Sequence, residues 1–273
     1  MPDTTSASRN QERIALCVEY NGSCFNGWQS QKSPNVVTVQ ETLEKALSEV
    51  ADQEIKVNCA GRTDARVHAS AQIAHFNHSN PRPVEAWVRG GNSILPSSVS
   101  IRWAKQVGGD FHARFSATAR KYRYIIFNNS VKSALLHGMV TPHHQKLDAD
   151  SMHLAGQQLL GEHDFTAYRG AACQSSTPMR EVKSLSVYRE DDFVILEIEA
   201  NAFLLHMVRN IAGVLMEIGE GGKSVEWAGE LLALKDRKLG GVTALPNGLY
   251  LIKVSYPSEF GLPSMPQGPQ FLV

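Results

Sequence analysis

No apolar run in the 273 residues approaches the ~20 that a membrane-crossing helix needs, so no membrane partner is expected. The opening, MPDTTSASRNQE, lacks the apolar stretch of a secretory signal. Residues 1–12 therefore read as a loose tail, and the expected location is the cytoplasm. Cysteine is sparse: Cys17, Cys24, Cys59 and Cys173 are scattered, with no Cys-x-x-Cys pair and no zinc spacing. That argues against a disulfide framework. The ten histidines include His75 with His78 and His143 with His144, but no third ligand lies near either pair. No metal is expected. Net charge is missing too, since 27 basic and 27 acidic residues cancel, and taken alone that average speaks against a nucleic-acid partner.

The cancellation hides a segregation. Between Phe111 and Leu147 there is no acid, yet Arg114, Arg120, Lys121, Arg123, Lys132 and Lys146 fall there. Between Ile55 and Val84 the only acid is Asp64, among Lys56, Arg62, Arg66 and Arg82. Acids gather elsewhere, as at Glu181, Glu190, Asp191, Asp192, Glu197 and Glu199. A neutral protein with two basic tracts can present one positive face to a phosphate backbone. Solvated charges that never converge are the bland alternative, and the charge pattern leaves both open.

Residues 13–20 alternate, with Ile14, Leu16, Val18 and Tyr20 on one face, which predicts a strand. Thr38 followed by Glu41 is a capping-box signature before the stripe Val39, Leu43, Ala46, Leu47 and Val50. Further strands are expected at 55–59, 71–77, 100–107, 121–127, 182–188, 193–200 and 249–256. Helices are expected at 84–92, 149–160 and 225–234, with a longer one carrying Phe203, Met207, Ile211, Val214, Leu215 and Ile218. The fold class is α+β with antiparallel sheets, divided into an N-terminal half at 13–112 and a C-terminal half at 113–257. Pro263, Pro266 and Pro269 mark 258–273 as an extended tail.

Three stretches carry chemistry. In CAGRTDARVHA, residues 59–69, Asp64 sits in a loop between apolar strands with Arg62 and Arg66 two residues to either side. Opposite charges a few ångströms away favour the charged form of a carboxylate, which suits a nucleophile better than a general acid. A loop-capping Asp paired with Arg62 is the structural counterpart. In FHARFSATARKYRYIIF, residues 111–127, an extended chain puts Arg120, Tyr122 and Tyr124 on one face and Lys121 and Arg123 on the other. Basic residues beside aromatics suit a partner with phosphates and flat bases, and equally a core strand with solvated arginines. In NAFLLHMVRNIAG, residues 201–213, His206 reads as structural, whereas Arg209 in so apolar a helix needs an anion, for which Asp64 is a candidate. GEGGKS at 219–224 imitates a phosphate loop but has Glu217 at the required first glycine and follows a helix.

Together these stretches, with EYNGSCFNGWQSQ at 19–31, HDFTAYRG at 163–170 and GLYLIKV at 248–254, resemble the tRNA pseudouridine synthase A family from about Ile14 to Tyr256. The resemblance implies a pseudouridine synthase fold, two related halves around a central basic cleft. It implies an isomerase acting on uridines at positions 38–40 of the tRNA anticodon arm, without metal or cofactor, as a homodimer with tRNA reaching across both subunits. Asp64 matches the catalytic aspartate, Arg62 the arginine associated with displacing the target nucleotide, Tyr122 the tyrosine that stacks on uracil, and Arg209 the partner of the carboxylate. Arg66, Arg114, Arg120, Lys121 and Arg123 are expected to bind substrate. The chain departs from the family at Arg66, where the pattern has glycine. A glycine there serves a positive φ or a close approach of substrate, so a silent tRNA-binding protein on the same fold is the alternative. A carboxylate-dependent hydrolase ranks third, for want of a second acid in a matching loop.

Overall fold

The computed structural model describes residues 11–31, 36–80 and 82–272, so most of the expected N-terminal tail lies outside the described residues. Among the described residues ten strands form a single sheet: β1 (Glu12–Tyr20), β2 (Asn58–Cys59), β3 (His68–His78), β4 (Val99–Val107), β5 (Ala119–Asn128), β6 (Thr141–His143), β7 (Gly161–Asp164), β8 (Met179–Glu190), β9 (Phe193–Ala200) and β10 (Leu249–Ser255). The order along it is β4-β1-β3-β10-β5-β9-β8-β7, with β2 on β3 and β6 on β5. Five α-helices among the described residues accompany it: α1 (Val39–Ala51), α2 (Val84–Ile94), α3 (Ala149–Gln157), α4 (Met207–Gly219) and α5 (Trp227–Leu234). No described helix is long and apolar enough to cross a membrane.

The α+β class is as expected, but the separate antiparallel sheets are not. β3 and β10 pair in parallel, Tyr250 opposite His68, and so do β5 and β6. β10, late in the chain, lies between β3 and β5. Both expected halves therefore share the middle of one sheet.

Period-two alternation builds this core. Ile14, Leu16, Val18 and Tyr20 of β1 join a large cluster to which all five helices contribute, including Leu43, Trp87, Met152, Ile211 and Leu231. Ala15 and Cys17, pointing the other way, join a second cluster with Ile73 and Phe111. The tail after Pro257 covers that second face. It was expected to be extended, yet it makes a 3-10 turn at Ser258–Phe260 and packs Phe260, Leu262 and Met265 there.

Three further boundaries differ for local reasons. The strand expected at 55–59 shrinks to two residues because side chains of α1 take its amides: Ile55 N donates to Ser48 Oγ at 2.8 Å and Val57 N to Glu44 Oε1 at 3.0 Å. The long helix starts at Met207, after Phe203, because His206 adopts a left-handed backbone with φ 59°. The short strands β6 and β7 carried no alternation long enough to register. By contrast Thr38 caps α1 as expected: its hydroxyl accepts from Glu41 N at 3.3 Å and donates to Glu41 Oε2 at 2.9 Å.

Candidate active site

Asp64 lies in the loop from β2 to β3, which enters the sheet beside the start of β10 because those strands run parallel. Tyr122 of β5 pairs with Leu251 of β10, and α4 brings Arg209 over the same ground. The result is a cavity of about 890 Å³ lined by Arg62, Thr63, Asp64, Tyr122, His206 and Arg209 among others. It is at the upper end of the roughly 300–1,000 Å³ usual for ligand sites. Five arginines line it, at positions 62, 114, 120, 180 and 209, whereas Asp64 is the only acid among its described lining residues.

The loop is fixed from several sides. Gln72 holds Gly61 by both backbone atoms, its Nε2 donating to the carbonyl at 2.6 Å and its Oε1 accepting the amide at 3.4 Å. The Tyr20 and Thr63 hydroxyls meet at 2.8 Å in the core. Trp28 N donates to Thr63 O at 3.0 Å, and Arg66 N to Phe25 O at 3.1 Å. The segment from Gly22 to Trp28 can lie this close only with glycine at two places. A Cβ on Gly22 would fall 2.0 Å from Val67 O, and one on Gly27, whose φ is 93°, 2.8 Å from Thr63 O. This explains physically why an Asn-Gly motif 40 residues earlier accompanies the Asp64 loop.

Arg209, not Arg62 or Arg66, pairs with the carboxylate. Its Nη1 donates to Asp64 Oδ2 at 3.2 Å while Nε donates to Ala244 O at 2.8 Å, fixing the guanidinium. His206 Nε2 lies 3.4 Å from the same oxygen. Asp64 keeps 26% of its side-chain surface, so a carboxylate held by two cationic or polar partners still reaches the cavity. His206, expected to be structural, is thus a site residue. The available signal was its spacing, three residues before Arg209, which places the two near each other at a helix start.

Tyr122 lies on the cavity wall, its ring edge-on to Phe203 with centroids 5.1 Å apart. Burial first, and then the Asp64 charge, push its phenol above the ordinary range, so at neutral pH it is a hydroxyl donor and not a base. Arg62 and Arg114 are exposed on the cavity wall. Arg120 is also on the wall, but its guanidinium donates to four carbonyls: Ala60 and Arg114 at 2.9 and 2.8 Å, Asn201 at 3.0 Å and Ala117 at 3.2 Å. With its donors so used, it ties three wall segments together rather than waiting for a phosphate.

The remaining expected substrate contacts lie elsewhere. Lys121 and Arg123 point to the opposite face of β5 and both bind Glu197, Lys121 Nζ at 2.6 Å and Arg123 Nε at 2.8 Å. Burial alone would raise Glu197, but those two cations outweigh it and hold the carboxyl below its usual range. Neither side chain lines the cavity. Arg66 is exposed, also outside the lining, and has φ 66°. The glycine conformation is therefore kept by an arginine, and its side chain does not obstruct the site. The reading of Arg66 as a block to turnover loses its geometric basis. The hydrolase reading loses its second carboxylate, as no other acid lines the cavity among the described residues. Nor do the described residues contain a cluster of three or more His, Cys, Asp or Glu able to hold a metal ion.

The chain is 55% identical over 260 residues to the tRNA pseudouridine synthase A of Aliivibrio salmonicida, covering 95% of this chain and 98% of that one. It is 54% identical to the enzymes of the same name from Aeromonas hydrophila and Coxiella burnetii, again over 95% of this chain and over 96% and 99% of theirs. The sequence profile of the tRNA pseudouridine synthase family matches residues 16–116 and 155–257, which include the Asp64 loop, Arg209 and the strands that bring them together, and the chain belongs to that family.

Proposed function

We propose that this protein is an isomerase that converts uridine to pseudouridine in tRNA, at positions 38–40 of the anticodon arm, with Asp64 as the reacting carboxylate. The observation that carries the reading is Asp64 itself: a lone acid in an arginine-lined cavity, paired with Arg209 and still reachable. By the same family resemblance the enzyme works as a cytoplasmic homodimer with tRNA reaching across both subunits.

A stacked uridine hides its glycosidic bond, so the nucleotide must leave the helix at a cost of a few kcal/mol. Arginine contacts to phosphate and aromatic contacts worth about 1–3 kcal/mol per base offset that cost. Inside the cavity the Asp64 carboxylate acts on the ribose. Attack on the anomeric carbon forms a C–O bond as the C–N bond breaks, its electron pair leaving on uracil N1. Removal of the C2′ proton breaks the same bond and gives a glycal. In both routes the uracil turns and C5 bonds to the anomeric carbon: in the first this breaks the C–O bond and releases the Asp64 carboxylate, in the second the proton returns to C2′. The C5 proton is then lost and N1 takes up a proton, so atoms balance without an added reactant. Arg209 aims the carboxylate, and Tyr122 with Phe203 supplies a wall against which the freed base is held.

The test is nucleoside analysis of unmodified tRNA transcripts after incubation with the protein. Pseudouridine confined to positions 38–40 is expected. Asp64→Asn should abolish product while leaving tRNA affinity within a few-fold. Retained turnover would remove Asp64 from the chemistry, and binding without product in the unaltered protein would favour a silent binder.

A further inference from the structure

Phe115 is 76% exposed, an unusual position for a large aromatic, yet it lies on the wall of the Asp64 cavity. The turn that presents it is tightly locked. Arg114 N and Phe115 N both donate to His112 Nδ1, at 3.1 and 3.3 Å, while His112 N donates to Ser116 Oγ and Ser116 N to His112 O, each at 2.9 Å. The His112 ring lies against Phe115, centroids 4.3 Å apart and planes 34° from parallel, and the Arg114 guanidinium is 5.6 Å from the Phe115 centroid. Arg120 binds the carbonyls of both Arg114 and Ala60. It thereby links this turn to the start of the Asp64 loop.

An apolar ring that a rigid turn leaves 76% exposed, packed against the neighbouring His112 and Arg114 side chains, gains little from burial, so folding stability does not account for it. A preformed aromatic face beside a cation, at the mouth of a basic cavity, suits a nucleobase with its phosphate. We infer that Phe115 is a stacking platform for a base adjacent to the flipped uridine in the RNA strand. Its place relative to Asp64 is fixed through Arg120. Flipping one nucleotide strips its neighbour of a stacking partner, and Phe115 supplies a replacement face.

The inference rests on the proposed tRNA reading, but binding can test it separately from turnover. Affinity of the full-length protein for an anticodon stem-loop is measured by fluorescence anisotropy, using the Asp64→Asn protein so that no substrate is consumed. Phe115→Ala should weaken binding about 5- to 140-fold, which is 1–3 kcal/mol of stacking at 1.4 kcal/mol per decade. Its melting temperature should stay unchanged. Phe115→Trp should restore affinity, whereas Phe115→Leu, apolar but lacking a π face, should not. Replacing the contacted flanking nucleotide with an abasic residue should weaken binding to the phenylalanine protein, with no further loss when combined with Phe115→Ala. Affinity within twofold for Phe115→Ala, full rescue by leucine, or additive losses for abasic substitution on both sides of the target would each overturn the platform. Absence of pseudouridine from the unaltered enzyme would instead overturn the proposed activity and leave these binding outcomes readable.

Discussion

The contact between the hydroxyls of Tyr20 and Thr63 gives the most demanding test of how the Asp64 loop is held. Both side chains are buried, the oxygens lie 2.8 Å apart, and among the described residues the tyrosine oxygen has one further partner, Gln72 Nε2 at 3.5 Å. Tyr20→Phe deletes one member and leaves Thr63 Oγ1 without its partner in the core. A buried polar group stranded in this way costs about 1–3 kcal/mol. Thr63→Val strands the tyrosine instead and should cost a similar amount. The double variant removes both polar atoms at nearly constant shape, which is close to neutral, so the cycle should show a coupling of about 1–2 kcal/mol. Denaturant melts followed by circular dichroism measure this directly. Turnover should behave differently. Asp64 directly follows Thr63, and a displacement of about 1 Å at a reacting group can cost on the order of 100-fold in rate. The single variants should therefore lose kcat with little change in KM, and the double variant should recover stability without recovering kcat, because two apolar groups meeting cannot fix a direction. Additivity within about 0.5 kcal/mol, or kcat within twofold in all three proteins, would refute the idea that this hydrogen bond positions the carboxylate.

His68 makes stability depend on pH. Its Nδ1 accepts from Gly22 N at 3.0 Å and its Nε2 donates to Asn247 O at 2.9 Å, while burial pushes its pKa down to about 4. Below about pH 6.5 the unfolded chain binds a proton that the folded one refuses, so stability is full above that pH and falls by up to roughly 3 kcal/mol as pH approaches 4; denaturant melts across pH 4–7 check this, and His68→Gln should flatten the slope. Arg66→Gly removes a side chain that is exposed, outside the cavity and attached to a backbone with φ 66°. Relief of strain of about 1 kcal/mol is opposed by a similar gain in unfolded-state freedom, so stability within about 1 kcal/mol and kcat within a few-fold are expected; a rise in kcat above tenfold would show that Arg66 limits the enzyme. Gly27→Ala meets both φ 93° and Thr63 O, and should lose about 1–3 kcal/mol together with most of its turnover, read by thermal melts and product formation.

The elements that the sequence made legible are those whose pattern is local. Alternation over β1 and the Thr38–Glu41 cap before α1 needed no knowledge of anything distant, and both stand in the structure. What stayed hidden depended on partners far along the chain. Residues 55–57 have strand-like composition, but Glu44 and Ser48 claim their amides. Lys121 and Arg123 looked equivalent to other basic residues of their tract until Glu197, on the neighbouring strand, took both. Arg120 looked like a phosphate ligand because its charge is visible in sequence, whereas the carbonyls that occupy it come from four separate residues. Asp64 and the need of Arg209 for an anion were both legible, since a lone acid in a basic tract and a cation in an apolar helix are each anomalies without a partner. His206 was not, since a histidine on an apolar segment is no anomaly.

The same reasoning explains how a chain without net charge comes to hold a positive cavity. Along β5 successive side chains point to opposite faces, so the basic tract is split by the pleat: Arg120 and Tyr122 turn to the cavity, Lys121 and Arg123 away from it. β9, which pairs with β5, contributes Glu197 on the outward face, so acid cancels base there and leaves the cavity side untouched. Glu197 is thereby separated from the cavity arginines by the sheet itself. Against this background Asp64 stands out chemically, because among the described residues every other acid lies off the cavity wall. The pleat of β5 thus keeps Lys121 and Arg123, with Glu197, off the cavity side, while the loop after β2 and the helix α4 bring Asp64 and Arg209 to it.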